Sequence, residues 1–461
     1  MKLKAKVLFC EYFLAIYMLS QCFFSNYVSP YLAFLGFFML TIIKHHVEGV
    51  RANFIFFIFA EILLLTTHRL FFHLAAFTLL YITLAKFPVY EFPAPTGKYR
   101  VGYRRFHLNP QVSGAVYYPT NEITQDVNYG ENTEGWQRFA DITIFYSNVR
   151  KSKHAPRAVY KLIFSVLDHQ YLGVNLNSKP VKNEKGNPVI IFSHGLAGNI
   201  HAHSVQCNEW ASHGFVVFSV DHPESIPVPV QSLEEYDEYT RLRAVQLVDR
   251  KNTSLQLLDF IHNQKKIQHL FEDSEMTFNY KKVILAGHSF GGATACETAY
   301  QDERVTGGLL LFDPWLAPCS EQVYTTPLNK PVLLLRSETF DKSERFKLEP
   351  WKFIQAHEKG QGLVVSGYFR GSTHHSSSDL MLHLPREFVM FKMFKSMNTL
   401  GEQLLSHRTL AQIFLDSIVN EDDTTKEKSL KTHVLSRYRE HLQKTSRPDI
   451  LEVDDILLSK N

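Results

Sequence analysis

The chain has 461 residues, enough for one large catalytic domain and an accessory region. Its 49 basic and 46 acidic side chains leave a formal charge of +3, which excludes the broad basic patch that nucleic-acid binding requires. Cys10, Cys22, Cys207, Cys296 and Cys319 form no Cys-x-x-Cys pair and leave one over, unlike a disulfide framework or a zinc site; the soluble part reads as belonging to a reducing compartment.

Hydrophobicity is concentrated at the start of the chain. Val7 to Phe24, Tyr27 to Ile43, Asn53 to Thr67 and Leu70 to Ala85 are apolar runs rich in Phe and Leu, broken by Ser25-Asn26, by Lys44 to Arg51 and by His68-Arg69. A bilayer core of about 30 Å needs about 20 helical residues, so these runs predict a multi-span transmembrane helical region over residues 1–87, with three to four spans. A cleaved signal peptide would cover only the first run, and no small-residue cleavage site follows it. Glu11 and Glu61 fall inside the runs, where a neutral or helix-paired carboxylate is the expected state, and neither is given a role. Lys2, Lys4 and Lys6 precede the runs, Lys44 and Arg51 divide them, and Lys98, Arg100, Arg104 and Arg105 follow them. With four crossings these groups share one side, which places the following domain in the cytosol and leaves the sequon Asn252-Thr253-Ser254 unglycosylated.

A Pro-rich linker over residues 88–98 marks the boundary, because Pro88, Pro93 and Pro95 exclude helix. Tyr99 to Leu108 and Gly114 to Tyr118 flank the turn signal Asn109-Pro110 and predict opening antiparallel strands. Asn121 to Pro188 reads as loops with a helix or two. Apolar runs then follow at Val189 to Phe192, Phe215 to Val220, Val283 to Ala286, Gly308 to Phe312, Val332 to Leu335 and Leu363 to Tyr368, with helical patterns at Glu234 to Asn263 and Ala293 to Tyr300. Runs of four to six apolar residues without alternation suit a mainly parallel sheet covered on both faces, so residues 99–420 are expected to form a doubly wound α/β domain. From Glu402 a helix leads into a charged, poorly ordered tail over residues 421–461.

Gly287-His288-Ser289-Phe290-Gly291 lies directly after a strand and before a helix. The pentapeptide alone is a weak signal. Its context is that of the nucleophile elbow of α/β-hydrolases, in which a strained turn lifts the serine hydroxyl above the sheet. Ser289 is therefore the expected nucleophile. A serine needs a base and an orienting acid, which in this fold follow in the order acid, then histidine. Asp313 ends the next strand, with Asp302 and Asp221 as rivals; His374 sits in the loop after the last strand, with His375 as rival. The oxyanion hole requires two backbone amides, supplied by Phe290 and by Leu196 in the loop Ser193-His194-Gly195-Leu196, where His194 shapes the loop. His45-His46 and His201-Ala202-His203 lack a third ligand at zinc spacing, and a serine triad needs neither metal nor cofactor.

Phe192-Ser193-His194-Gly195-Leu196, Ala211-Ser212-His213-Gly214-Phe215, Gly287 to Thr294 and Gly371-Ser372-Thr373-His374 together resemble the platelet-activating factor acetylhydrolase family, calcium-independent phospholipases A2 of α/β-hydrolase fold, over roughly Tyr99 to Met393. The resemblance implies Ser289 as nucleophile, Asp313 as acid, His374 rather than His375 as base, and Leu196 with Phe290 as oxyanion amides. It implies a short or oxidised sn-2 acyl group of a phospholipid as substrate and the bilayer as partner. This chain departs from the family in having Asp313-Pro314-Trp315 where the animal enzymes follow the acid with Ala-Trp, and in its apolar N-terminus. A general carboxylesterase and a non-enzymatic membrane scaffold are the competing readings, the latter opposed by the intact order of triad residues.

Overall fold

The computed structural model describes residues 5–6, 8–24, 29–49, 54–66, 73, 75–80, 89–131, 165–223, 233–272, 276–358, 364–383, 400–420, 427–445 and 451–453. Helices α1 (Phe9–Phe24), α2 (Pro30–Glu48) and α3 (Ile55–Thr66) come from the first three apolar runs. Ser29 caps α2 by accepting from the Leu32 amide, and Pro30 takes the first helical position, where no N–H is needed. Leu14, Met18, Phe37, Phe57 and Leu64 pack between the three helices. Two carboxylates buried inside this bundle are paired: Glu11 with Lys44 at 3.2 Å, and Glu61 accepting from Gln21 at 3.0 Å. The outward side chains are apolar, among them Phe9, Phe13 and Ile16 of α1, Tyr31, Leu32, Phe38 and Met39 of α2, and Phe59 of α3. Among the described residues only α2 is long and apolar enough to cross a membrane; α1 and α3, at 16 and 12 residues, fall short of the multi-span expectation. Most of the fourth run lies outside the described residues.

The linker crosses residues 91–97 without regular structure and is clamped at its end. The Gly97 amide donates to Ser212 Oγ at 3.0 Å, the Thr96 amide to Glu209 at 3.0 Å, and Arg408 donates to the Ala94 carbonyl at 3.1 Å while pairing with Glu209 at 3.4 Å.

Ten strands then build one sheet: β1 (Arg100–Asn109), β2 (Val112–Thr120), β3 (Asn175–Leu176), β4 (Asn187–Ser193), β5 (Val216–Val220), β6 (Phe278–His288), β7 (Gly308–Phe312), β8 (Val332–Ser337), β9 (Val364–Phe369) and β10 (Leu451–Val453). Their spatial order is β10-β9-β8-β7-β6-β4-β5-β2-β1-β3. The run from β5 to β9 is parallel, whereas β1 with β2, β2 with β5, and β9 with β10 pair antiparallel. Every expected strand is present. Successive residues face opposite cores, as the period of two requires. Ile190, Phe192, Ala286, Phe312 and Leu335 face α4 (Ser204–Ser212), α8 (Leu400–Asn420) and α9 (Glu427–Lys444), whereas Val189, Ile191, Leu285, Leu311 and Leu334 face α5 (Leu233–Ile261), α6 (Phe290–Gln301) and α7 (Leu348–Glu358).

The C-terminal segment departs from the expected charged, poorly ordered tail. Val434, Tyr438 and Leu442 of α9, spaced four apart on one helical face, are buried in the core, and β10 pairs with β9 through Gly367 and Val453. The charges of α9 dilute this stripe in any windowed average. The sequon lies within α5, with Thr253 buried. Residues 132–164, part of the stretch Asn121 to Pro188 read as loops with a helix or two, lie outside the described residues.

Candidate active site

β4 is flanked by β5, which follows it in the chain, and by β6, which comes after the long excursion through α5. The winding reverses there. In doubly wound sheets a crevice opens at such a point beyond the carboxyl ends of the strands, and the loops after β4, β6, β7 and β9 carry the expected site residues.

Ser289 stands between β6 and α6 with φ 55° and ψ −120°, a conformation that side-chain-bearing residues avoid. The elbow holds because its glycines allow backbone to touch backbone: a Cβ on Gly291 would lie 1.9 Å from the Ser193 carbonyl oxygen, and one on Gly287 would lie 2.2 Å from that of Gly291. The Ser289 amide donates to the Phe312 carbonyl at 3.0 Å and the Trp315 amide donates to the Ser289 carbonyl at 2.9 Å, tying the elbow to the end of β7.

Asp313, also at positive φ (45°), follows β7 directly. Its Oδ1 accepts from the Ser337 amide at 2.5 Å, and its Oδ2 lies 3.1 Å from His374 Nδ1. Both oxygens are thereby committed, and the proton on Nδ1 leaves Nε2 as the basic face of the His374 imidazole. The His374 ring stacks on Phe340 at 4.3 Å, nearly parallel, and its carbonyl lies 2.7 Å from His288 Nε2. The rival acids are placed elsewhere. Asp302 is engaged by Arg304 at 2.6 Å, and Asp221 lies 3.4 Å from His194.

Leu196 belongs to the loop after β4, and that loop touches the elbow: a Cβ on Gly195 would meet Ser289 Cβ at 3.1 Å. Ala197 beside it has φ 50°, so three of the non-glycine residues at positive φ gather around this crevice. His194 shapes the loop, with Nδ1 2.7 Å from the Gly195 carbonyl and Nε2 accepting from the His222 amide at 3.0 Å. The amide of Phe290 opens α6, where the helix dipole favours developing negative charge.

Several contributors escape a reading of the sequence. His288 anchors the His374 carbonyl; Phe340 fixes the ring plane; buried Arg250 reaches the Gly195 carbonyl at 3.3 Å and stacks on Phe290 at 4.6 Å. Asp379 accepts from Ser204 Oγ at 2.6 Å and from the Val205 amide at 3.2 Å, while its own amide bonds the Ala202 carbonyl, so the His374 loop is moored to the start of α4. Burial raises the Asp379 carboxyl to about 7. Burial also lowers His203 to about 3 and His288 well below the usual imidazole range, with neighbouring histidines adding to both shifts. Only His288, sitting inside the motif, had any sequence signal. His201 is committed to Tyr103 and to the Tyr129 carbonyl, at 2.9 and 3.0 Å.

Comparison with known proteins places the fold and the family. A ferulic acid esterase from Streptomyces cinnamoneus superposes with a TM-score of 0.52 over 71% of this chain and 92% of its own, at 16% identity, which shows a shared mixed α/β sheet fold. Platelet-activating factor acetylhydrolase from Cavia porcellus is 29% identical over 228 residues, covering 44% of this chain and 50% of its own length, so the chain spans about half of that relative. The Canis lupus familiaris protein of that name is 25% identical, covering 62% of this chain and 68% of its own. A putative phospholipase A2 from Schizosaccharomyces pombe is 26% identical, covering 43% and 60%. The model of platelet-activating factor acetylhydrolase, isoform II, matches residues 84–227 and 223–413, and the chain accordingly belongs to the platelet-activating factor acetylhydrolase family.

Proposed function

We propose that this protein is a serine ester hydrolase that removes short or oxidatively truncated sn-2 acyl groups from phospholipids. The carrying observation is the Asp313 to His374 contact at 3.1 Å beside a strained Ser289 stitched to the end of the same strand. In this reading His374 Nε2 takes the proton of Ser289 Oγ as that oxygen attacks the ester carbonyl. The amides of Leu196 and Phe290 hold the oxyanion, and Asp313 orients the imidazolium. The lysophospholipid then leaves with the proton from His374, and water activated by the same histidine releases the acid from the acyl-enzyme.

The chain is proposed to divide into an N-terminal helical region, a Pro-rich linker and the hydrolase domain. The helical region is proposed to sit in a bilayer as several passes, with the hydrolase on the cytosolic side. Support comes from the outward apolar side chains of α1, α2 and α3 and from the length of α2. Of the flanking basic residues, Arg104 is bound within the domain by Glu272 at 2.6 Å, so the charge argument rests on the others.

The direct test is hydrolysis of an sn-2 acetyl phosphatidylcholine by purified variants. Ser289→Ala and His374→Ala should lose about three or more orders of magnitude in kcat, and Asp313→Asn about as much. His375→Ala should keep most of the activity. A dead His375→Ala beside a nearly normal His374→Ala would overturn the assignment of the base.

A further inference from the structure

Arg243 on α5 is fully buried. Its Nη1 donates to Gln246, and its guanidinium stacks on Tyr239 at 4.6 Å. Nε and Nη2 have no hydrogen-bond acceptor, and among the described residues no ion pair includes Arg243. Those two nitrogens form the edge of the guanidinium whose parallel N–H bonds match two oxygens of a phosphate or carboxylate. A buried cation left without a counter-charge is costly, and such a group calls for a partner that the chain itself does not supply.

Its position says which anion. Tyr239 packs on Trp315 at 5.6 Å, Trp315 packs on Phe290 at 5.6 Å, and the Trp315 amide donates to the Ser289 carbonyl. An aromatic wall therefore runs from the elbow to Arg243. Arg250, seven residues on and on the same helical face, lies against Phe290 and the Gly195 carbonyl. Seven residues span roughly 10 Å of helix, so Arg243 stands about that far along α5 from Arg250.

We propose that the Nε and Nη2 edge of Arg243 is the phosphate subsite, holding the phosphodiester of the lipid while its sn-2 ester lies at Ser289. This inference rests on the phospholipid reading above. It adds a positioning group that a neutral ester does not use.

The experiment compares kcat/KM of wild type, Arg243→Gln and Arg243→Lys on an sn-2 acetyl phosphatidylcholine and on an uncharged acetyl ester. Thermal unfolding of each full-length protein is followed in parallel, with and without glycerophosphocholine or inorganic phosphate. Arg243→Gln should lose about ten- to a hundredfold more on the phospholipid than on the uncharged ester, through KM chiefly. Arg243→Lys should fall between, keeping the charge without the fork. Glycerophosphocholine should raise the wild-type unfolding temperature and leave Arg243→Gln unmoved. Equal losses on both substrates, or protection by glycerophosphocholine that survives Arg243→Gln, would overturn the subsite and leave the phospholipid reading standing. A wild type that cleaves only the uncharged ester would defeat the phospholipid reading. In that event Arg243-dependent protection by inorganic phosphate keeps an anion site, and its absence removes it. Should Arg243→Gln fail to fold, the Arg243→Lys ratio and the wild-type protection decide.

Discussion

Ser289, Asp313 and Ala197 all hold backbone conformations that favour glycine, and each lies in a loop at the carboxyl end of a central strand. Such strain persists only where surrounding structure over-determines it, and here the hydrogen bonds of Ser289 to Phe312 and of Trp315 to Ser289 do so. The same neighbourhood buries imidazoles in neutral form. Burial lowers His201 to about 4, His203 to about 3 and His407 to about 4. Above about 6.5, the ordinary imidazole value, both folded and unfolded chains carry these rings neutral, and their stability contribution is fully present. As the pH falls from there toward 4, only the unfolded chain takes up the protons, so stability is lost. Each histidine costs on the order of 1.4 kcal/mol per pH unit in that window. Asp379 runs the other way, since a carboxyl raised to about 7 is protonated first in the folded state, but it is one group against several. The urea midpoint should therefore drop clearly between pH 7.5 and pH 5.5; an unchanged or higher midpoint at pH 5.5 would contradict neutral burial of these rings.

The central strands were legible as elements because burial on both faces forces unbroken apolar runs, as in Leu309-Leu310-Leu311-Phe312 and Val332-Leu333-Leu334-Leu335. The elbow was legible because its chemistry demands glycines at set positions around a serine. Asp313 and His374 followed from chain order and from the ends of β7 and β9. Arg243, Arg250, Asp379 and Phe340 were not legible, since each acts through a partner distant in sequence and carries no local pattern. α9 was hidden by its own charges. Its inward stripe makes it part of the core, so Tyr438→Ala should destabilise the protein by about 3 kcal/mol or more, as aromatic truncations in packed interiors do. A change below about 0.5 kcal/mol in denaturant unfolding would instead make residues 427–445 dispensable.

At the scale of the whole chain, Glu209 and Arg408 hold residues 93–96 of the linker against the hydrolase domain, through side chains that are themselves buried. On the proposed reading the helices hold the enzyme at a bilayer, where lipid is met at high effective concentration, and the crevice at Ser289 selects the acyl group. Selection by an apolar pocket is graded, because each methylene accepted or refused changes transition-state binding by only about 1 to 3 kcal/mol. The most direct measurement is kcat/KM for phosphatidylcholines carrying sn-2 acetyl, butanoyl, hexanoyl and palmitoyl groups, in detergent with a calcium chelator present. A phospholipid hydrolase of this kind should show a stepwise decline from acetyl to palmitoyl and no need for calcium, whereas equal or greater activity on the palmitoyl lipid, or rapid cleavage of a soluble ester with none of the four lipids touched, would contradict it.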